Sequence, residues 1–475
     1  MQVKLPKIIQ GGMGVAISNW KLANTVSKLG QLGVVSGTGL AHVLISRLTA
    51  GDPGGHMRRA MESFPLKEPV RRILDTYFVE KPDEKPTVKR PPMWSLKPPK
   101  SIQELTVVAN FVEVFLAREK HNRPVGINLL EKIQMPLMSS LYGAMLAGVS
   151  FVIVGAGFPV QIPVAMDQLV EHKEASYEID VQRSDRDDDT RIALNPEDVF
   201  PGITDAVGPI ERPQFLPIIS SYVLAEALVG YTKGKVDGFI IETPVAGGHN
   251  APPRGMVKLN ENGEPIYGEK DSVDLEKMKR LERPFWLAGG YDTPEKLKEA
   301  LDQGAAGIQV GTAFATCEES GMDPDIKRKV LDQVIEGRLS VRTDPRVSPT
   351  GFPFKVAAID GTLSDADIYN ARQRVCDIGI LRKAYKQEDG KIGFRCPAEP
   401  EANFRNKGGS DDETEGRVCL CNNLVATAGY PNTRKNGYTE PAIVTAGDGL
   451  VNVGRFLENG KMTYHARDVL RYLLT

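Results

Sequence analysis

The amino-acid sequence predicts an α/β fold, and three observations lead to this class. Short apolar runs alternate with amphipathic stretches along most of the chain, which is the pattern of βα units. Several apolar runs end directly in glycine pairs, as strands do when they lead into tight turns. The chain has 475 residues, enough for one large domain of about 250 residues with added segments.

Eight candidate strands make the prediction more specific. Helical stretches lie between most of them. Trp20–Leu29 follows the first strand with Ser18 and Asn19 at its start, and Thr293 and Pro294 open the helix after the seventh. Eight βα repeats are the number found in a TIM (β/α)8 barrel. The predicted strands are Lys7–Gln10, Gly33–Ser36, Val125–Leu129, Phe151–Val154, Phe215–Ser220, Gly238–Glu242, Phe285–Ala288 and Gly307–Val310.

Two insertions and a carboxyl-terminal extension enlarge the predicted barrel. The insertion after strand two, about residues 46–100, contains a helical hairpin and a proline-rich run. The insertion after strand four, about residues 171–212, is charged. Its acidic run 184–189 is predicted as a solvated hairpin, because it lacks the spaced ligands and glycine of a calcium loop. We expect the barrel with its insertions to span residues 1–320. The extension, residues 321–475, would cover the barrel mouth or mediate subunit contacts.

Charge and hydropathy exclude several classes of partner. The chain carries 59 basic and 61 acidic residues, and no basic tract with interleaved aromatic residues, so we expect no nucleic acid. Residues 133–166 are uncharged and long enough to cross a bilayer, but prolines and glycines interrupt them. They predict a buried helix near Ser139–Ala147, the strand Phe151–Val154 and then a loop. The amino-terminal segment lacks an apolar signal sequence, so a cytoplasmic protein without membrane contact is expected.

The five cysteines are an odd number, which argues against a disulfide framework and fits a reducing compartment. Four of them fall late in the chain: Cys376, Cys396, Cys419 and Cys421. Cys419 and Cys421 with two distant partners are compatible with a zinc site. Their spacing differs from the usual C-x2-C arrangement, so buried free thiols are favoured and no metal is predicted.

His249 is the candidate catalytic residue. An apolar run, Gly238–Ile241, predicts a buried strand that leads into Gly247, Gly248 and His249. Barrel enzymes carry their catalytic residues at the carboxyl ends of the strands. Histidine titrates near neutral pH and therefore suits proton transfer. The alternative is a loop histidine whose ring is hydrogen-bonded to a carbonyl group.

Other strands end in glycines at the same rim, which allows the main chain to approach a flat, bulky ligand. The turns after strands seven and eight precede helices, whose first N–H groups bind phosphate. A flat ring together with a phosphate predicts FMN. Asn128 offers an amide to a ring edge, although a capping role is the alternative. The predicted cofactor-binding residues are Gly12, Met13, Gly14, Asn128, Gly155, Gly247, Gly248, Gly289, Gly290, Gly311 and Thr312.

These motifs resemble the nitronate monooxygenase family, once called 2-nitropropane dioxygenases. FMN-dependent enoyl-acyl-carrier-protein reductases and trans-acting enoyl reductases are related to it. The resemblance covers about residues 5–320 and implies an FMN-bearing barrel with His249 near the flavin. After the histidine, short members usually continue Arg-Gly, whereas this chain continues Asn250–Gly255. The tail segment Ser348–Phe354 resembles a substrate-side loop of longer relatives. The motifs are Gln10-Gly11-Gly12-Met13-Gly14, Gly126-Ile127-Asn128-Leu129, Ala246-Gly247-Gly248-His249, Leu287-Ala288-Gly289-Gly290 and Gly307-Ile308-Gln309-Val310-Gly311-Thr312.

The resemblance implies oxidation of alkyl nitronates or nitroalkanes with dioxygen to carbonyl compounds and nitrite. His249 would take the α proton of a neutral nitroalkane or hydrogen-bond the nitro oxygens. Arg254 would either attract an anionic substrate or be a surface guanidinium. The partners are then a small molecule and dioxygen, and a homodimer is compatible with the sequence.

Two other activities stay open. One is an NAD(P)H-dependent enoyl-thioester reductase, which would dock an acyl carrier protein on a basic patch. The candidates for this patch are Arg58, Arg59, Arg71 and Arg72. No G-x-G-x-x-G nucleotide motif follows a strand. The other is the function of a phosphate-binding barrel without flavin, either a nucleotide or sugar-phosphate enzyme or a non-catalytic binding scaffold.

Overall fold

The computed structural model describes residues 5–83, 88–183, 190–458 and 461–475, and it confirms the predicted barrel. Each strand pairs in parallel with its neighbours in chain order, and the last strand pairs with the first. The bounds differ from the predicted ones by at most one residue. The barrel strands are β1 (Ile8–Gln10), β2 (Leu32–Ser36), β3 (Val125–Leu130), β4 (Phe151–Gly155), β5 (Gln214–Ile219), β6 (Phe239–Glu242), β7 (Phe285–Ala288) and β8 (Gly307–Val310).

Large apolar side chains fill the interior of the barrel. Ile9, Phe151, Ile240 and Trp286 are fully buried in one cluster there. The indole Nε1 of Trp286 donates a hydrogen bond to the carbonyl of Pro6 at 2.8 Å. The barrel is therefore a packed core rather than a pore. Because all strands are parallel, their carboxyl ends form one rim, and that rim is where a ligand can bind.

Amphipathic helices follow the barrel strands. In Trp20–Lys28 the buried face carries Leu22 and Val26, and the side chain of Asn19 accepts a hydrogen bond from the Leu22 N–H. The α-helices are Trp20–Lys28, Leu40–Thr49, His56–Glu62, Lys67–Tyr77, Lys100–Arg118, Leu137–Leu146, Ile162–Val170, Pro196–Val199, Ile203–Val207, Tyr222–Tyr231, Leu275–Lys279, Pro294–Asp302, Thr312–Ala315, Pro324–Ile335, Ala366–Ala371, Glu401–Asn406, Leu420–Thr427 and Ala466–Leu473. Shorter 3-10 turns are Pro53–Gly55, Glu269–Asp271, Asp412–Thr414 and Asp448–Phe456.

One prediction is wrong after β4, where a loop was expected and the helix Ile162–Val170 forms. Pro163 lies in its first turn, where a proline has no intrahelical hydrogen bond to lose. Met166 and Leu169 are fully buried, so packing stabilises the helix. In the described ranges, no helix is long and apolar enough to cross a membrane.

The two insertions lie where the sequence breaks the βα pattern. The first contains the helices His56–Glu62 and Lys67–Tyr77. The second contains an antiparallel pair of strands, Ala175–Glu178 with Arg191–Leu194, and the short strand Val181–Gln182. The acidic run 184–189, predicted as a solvated hairpin, lies outside the described residues.

The tail after residue 320 packs against the barrel and the second insertion. Its strands Val341–Asp344 and Phe354–Ala357 pair in antiparallel orientation. Lys383–Lys386 pairs with Ile392–Arg395 on one side and with Val181–Gln182 of the second insertion on the other. Near the carboxyl terminus, the buried hydroxyl of Tyr464 donates to the carbonyl of Ala313 at 2.7 Å. The tail is therefore continuous with the barrel core.

Candidate active site

One cavity of about 190 Å³ lies at the carboxyl rim of the barrel. His249 and all of the predicted cofactor-binding residues line it. The fold thus brings together side chains and turns from β1, β3, β4, β6, β7 and β8, as expected when parallel strands end at one rim. That these residues bind a cofactor stays a prediction. This space is called the inner cavity below.

The loop after β1 is held in place by a buried serine. Ser18 Oγ donates to the carbonyl of Gly11 at 3.0 Å and accepts from Gln10 Nε2 at 2.9 Å and from the Met13 N–H at 3.0 Å. A Cβ atom at Gly12 would lie 2.3 Å from Asn128 Cβ, so only glycine fits between β1 and β3 here. Main chain therefore forms this wall of the inner cavity.

Asn128 ties the end of β3 to β4. Its Nδ2 donates to the carbonyl of Ile153 at 3.1 Å, so the donor half of the amide is used within the barrel. Gln309, on β8, also lines the inner cavity, and its buried Oε1 has no hydrogen-bond partner in the described part of the chain. Because buried acceptors are normally satisfied, this oxygen indicates that a donor from a bound ligand belongs in the cavity.

The turn after β7 can be built only from glycine. Gly289 and Gly290 have φ angles of 83° and 74°, in the left-handed region that side chains disfavour. A Cβ at Gly289 would lie 2.4 Å from Thr243 Oγ1. That hydroxyl donates to the Gly289 carbonyl at 3.1 Å and joins the ends of β6 and β7.

The tail also lines the inner cavity, through residues that sequence reasoning did not name. The Gly447 N–H donates to Thr312 Oγ1 at 2.9 Å, and the Gly248 N–H donates to Thr445 Oγ1 at 3.0 Å. Thr445 and Gly447 both line the cavity. Thr312, a predicted cofactor-binding residue, therefore also anchors the tail through its hydroxyl group. The helix that it begins, Thr312–Ala315, is a single turn.

A tail loop holds His249 in position. Nε2 of His249 lies 2.7 Å from Ser348 Oγ, and that oxygen lies 2.8 Å from Thr350 Oγ1. The ring of Phe354 packs against the imidazole with its centroid 4.8 Å away. The Asn250 N–H donates to the carbonyl of Pro353 at 2.9 Å, which joins the two backbones. Burial lowers the pKa of His249 to about 4, so the imidazole is neutral at pH 7.

Glu242 is a second titratable group that sequence reasoning did not assign to the site. It ends β6 and lines the inner cavity. Burial raises its pKa to about 8, and the described residues supply no hydrogen bond or ion pair to its carboxyl group. At pH 7 the group is mainly protonated and uncharged. In the sequence, the feature that could have indicated a role for Glu242 was its position as the last residue of a predicted strand.

A second cavity, of about 380 Å³, adjoins the inner one and is called the outer cavity below. Glu242 and His249 line both spaces and mark where they meet. The outer wall also carries aromatic and basic side chains, together with aliphatic residues and the acidic Asp271. The aromatic and basic side chains include Lys132, Phe158, Arg254, Tyr267 and Phe352.

The cysteines and the helical arginines lie apart from these cavities. All five cysteines are free thiols. Across the described ranges, no group of three or more histidine, cysteine, aspartate or glutamate side chains is arranged to hold a metal ion. Each arginine of the candidate carrier-protein patch pairs with a carboxylate. The pairs are Arg58 with Asp52, Arg59 with Glu119, Arg71 with Glu68 and Arg72 with Glu104.

Comparison with known proteins identifies the second half of the barrel. The nitronate monooxygenase family model matches residues 214–344. A probable nitronate monooxygenase of Bacillus subtilis (strain 168) is 32% identical over 128 residues, which are 27% of this chain and 35% of that protein. Another, of Staphylococcus haemolyticus (strain JCSC1435), is 26% identical over 116 residues, 24% of this chain and 31% of that one. The matched part spans about a third of either relative.

Two solved structures are also similar. FabK from Thermotoga maritima has a TM-score of 0.46 and 15% identity, covering 100% of this chain and 93% of that one. Nitroalkane oxidase from Streptomyces ansochromogenes has a TM-score of 0.45 and 14% identity, covering 99% and 95%.

The family match falls on the strands that carry the most specific motifs. It includes Glu242, His249 and the glycine turns after β7 and β8. Nitronate monooxygenases are FMN-dependent oxidoreductases, so the match supports both the predicted cofactor and the predicted enzyme class. Residues 214–344 are thus similar to the nitronate monooxygenase family, and they lie mostly within residues 5–320, the range over which the motifs resemble it.

Proposed function

We propose that the protein is an FMN-dependent monooxygenase that oxidises alkyl nitronates with dioxygen to carbonyl compounds and nitrite. The observation that carries the proposal is the junction of the two cavities. There an uncharged imidazole, His249, and an uncharged carboxyl group, Glu242, border both the glycine-lined inner cavity and the outer cavity. The match to the nitronate monooxygenase family over residues 214–344 supports this assignment.

Two features of the inner cavity support a flavin there. Main chain forms much of its wall. The buried Oε1 of Gln309, which accepts no hydrogen bond from the described residues, could accept one from the flavin. When bound, FMN would supply electron transfer from the nitronate to dioxygen. The residues that would hold it are Gly12, Met13, Gly14, Asn128, Gly155, Gly247, Gly248, Gly289, Gly290, Gly311 and Thr312.

The low pKa of His249 favours one of its two predicted roles. A base with a pKa of about 4 retains a proton poorly at pH 7, so it is unsuited to deprotonating a neutral nitroalkane. A neutral imidazole still carries one N–H group, which can donate to an oxygen of the nitronate. Ser348 Oγ, 2.7 Å from Nε2, fixes the ring orientation. We therefore assign His249 to binding a substrate that is already ionised.

The charges around the junction also suit an anionic substrate. Glu242 is mainly uncharged at pH 7 and so does not repel a nitronate. Arg254 lines the outer cavity and provides positive charge. Lys132 also lines it, but it pairs with Asp180 at 3.4 Å and with Glu131 at 3.5 Å. The guanidinium Nη2 of Arg254 lies 3.5 Å from the carbonyl of Ser220, and within the described part of the chain no carboxylate forms an ion pair with it. The carboxylate of Asp271, which also lines this cavity, accepts a hydrogen bond from the Arg254 backbone N–H at 2.8 Å.

An enoyl-thioester reductase is the second candidate. The volume of the outer cavity, about 380 Å³, favours it because this space exceeds what a short nitronate needs. The pairing of all four candidate arginines with carboxylates counts against the carrier-protein patch that the reductase would use.

Product analysis separates the candidates. FMN-loaded protein should consume dioxygen and release nitrite when ethyl or propyl nitronate is added, without any pyridine nucleotide. NADPH oxidation that depends on an added enoyl thioester, with no nitrite from nitronates, would refute the proposed function and support the reductase.

A further inference from the structure

A third cavity extends the outer cavity away from His249. It has a volume of about 230 Å³ and shares Lys132 and Phe352 with the outer cavity. The second insertion and the tail strand Lys383–Lys386 form its far wall. A smaller pocket of about 50 Å³ continues from it through the shared residues Gln182 and Lys383. The cavities therefore adjoin one another in series from the flavin site to the tail.

The far end of this series carries several basic side chains, and among the residues that the structure describes they form no ion pair with a carboxylate. Lys383 Nζ donates to the carbonyl of Thr350 at 3.1 Å and has no acidic partner in the described ranges. The guanidinium of Arg382 donates to the carbonyls of Gly379 and Trp94. Arg417, which lines the smallest pocket with Glu413, donates hydrogen bonds to the main-chain carbonyls of Glu413, Arg346 and Ser348.

Acidic side chains are few here. Asp180 lines the third cavity but is mostly exposed and pairs with Lys132 at 3.4 Å. Glu413 lines the smallest pocket and accepts hydrogen bonds from Ser410. Burial lowers the pKa of Lys383, and the charges of Lys132 and Arg417 lower it further. Confining these cations together is unfavourable unless an anion joins them.

We propose that this basic cavity binds a carboxylate or phosphate group at the far end of an elongated substrate. The reactive end would lie at the junction marked by His249, a placement that rests on the proposed function. Between the two ends, Phe352, Leu381 and Phe394 offer apolar contact to an alkyl chain. Lys383 is the specificity-determining residue, because it lines both the third cavity and the smallest pocket.

Binding of unreactive ligands tests this proposal without relying on turnover. Calorimetry on the FMN-loaded protein would compare decanoate, decyl phosphate and decanol. Lys383→Met should weaken binding of at least one anion by about ten- to hundredfold, the effect of losing a hydrogen bond to a charged group. It should leave decanol unchanged, and Lys383→Arg should retain most of the affinity. Whichever anion loses more affinity identifies the favoured group.

Lys391→Met is the matched control, because Lys391 lies in the same hairpin with a side chain that is 80% exposed. If Lys383→Met fails to fold, Lys132→Gln provides the same comparison. Equal losses for decanol and both anions, or no loss at all, would overturn the proposal. Selective loss of anion binding in a protein that does not oxidise nitronates would retain this site and refute only the proposed function.

Discussion

His249 and Ser348 lie 99 residues apart in the chain, yet the imidazole Nε2 of the one is 2.7 Å from the Oγ of the other. The first residue follows a barrel strand and the second belongs to the tail. Further backbone hydrogen bonds beside this contact, from Lys355 to Gly248 and from Asn250 to Pro353, hold the two segments together. The candidate active site is therefore shared between the barrel and its extension.

Replacing the imidazole should abolish most of the turnover without releasing the cofactor. In His249→Ala we expect bound FMN to be retained, because the other wall residues are unchanged. Nitronate turnover should fall by about 10²- to 10³-fold, the usual effect of losing one donor to a developing or bound oxyanion. The rate of nitrite release at steady state measures this turnover. His56→Ala, outside the cavities, is the control, and unchanged turnover in His249→Ala would refute the assigned role.

Ser348→Ala tests whether the tail orients the imidazole. Removal of one hydrogen bond should lower kcat by up to about tenfold, less than the effect of His249→Ala. FMN content should not change, because Ser348 does not line the inner cavity. Ser95→Ala, at a half-buried serine outside the inner and outer cavities, controls for the loss of a hydroxyl. A kcat equal to that of the unmodified protein would show that the contact does not position the ring.

Glu242 should give nitronate binding a pH dependence. Burial raises its pKa to about 8, so the group is neutral below that pH and becomes an anion above it. The anion repels a nitronate, and KM should therefore rise as the pH passes about 8. Glutamine cannot ionise, so Glu242→Gln should keep a flat KM over the same range. KM would be measured with preformed ethyl nitronate. An equal rise in KM for the unmodified protein and for Glu242→Gln would show that Glu242 does not cause the pH dependence.

Gly289→Ala should release FMN. The added Cβ meets Thr243 Oγ1 at 2.4 Å, and the residue must keep a φ angle of 83°. Gly337→Ala is the matched control, because Gly337 also has a positive φ angle but nothing within 4 Å of its Cβ position. Both variants should lose about 1–3 kcal/mol of stability from backbone strain. Only Gly289→Ala should lose the flavin absorbance. Equal FMN content in the two variants would argue against FMN binding at the turn that contains Gly289.

The barrel was predictable because its signals are local. Parallel strands covered on both faces are continuous apolar runs, as in Phe151–Gly155, and breakers mark their ends. The glycine turns could also be placed together, because the carboxyl ends of all barrel strands share one rim. Gly12, Gly289 and Gly311 follow β1, β7 and β8, and this position alone predicted that they lie at the rim.

The rest of the site depends on long-range packing. Nothing near Ser348 or Thr445 in the sequence indicates that these hydroxyls meet His249 and Gly248. The raised pKa of Glu242 results from burial of its carboxyl group, and a single sequence does not reveal that burial. The helix Ile162–Val170 was not predicted, because Pro159 and Pro163 suggest a loop unless the start of the helix is known.

Anaerobic flavin reduction tests the central claim most directly. The FMN-loaded protein would be mixed without dioxygen, in separate experiments, with ethyl nitronate and with NADPH, while the flavin absorption band is followed. We predict that the nitronate bleaches the band and that NADPH does not. Rapid bleaching by NADPH, followed by return of the colour on adding an enoyl thioester, would contradict the nitronate monooxygenase assignment.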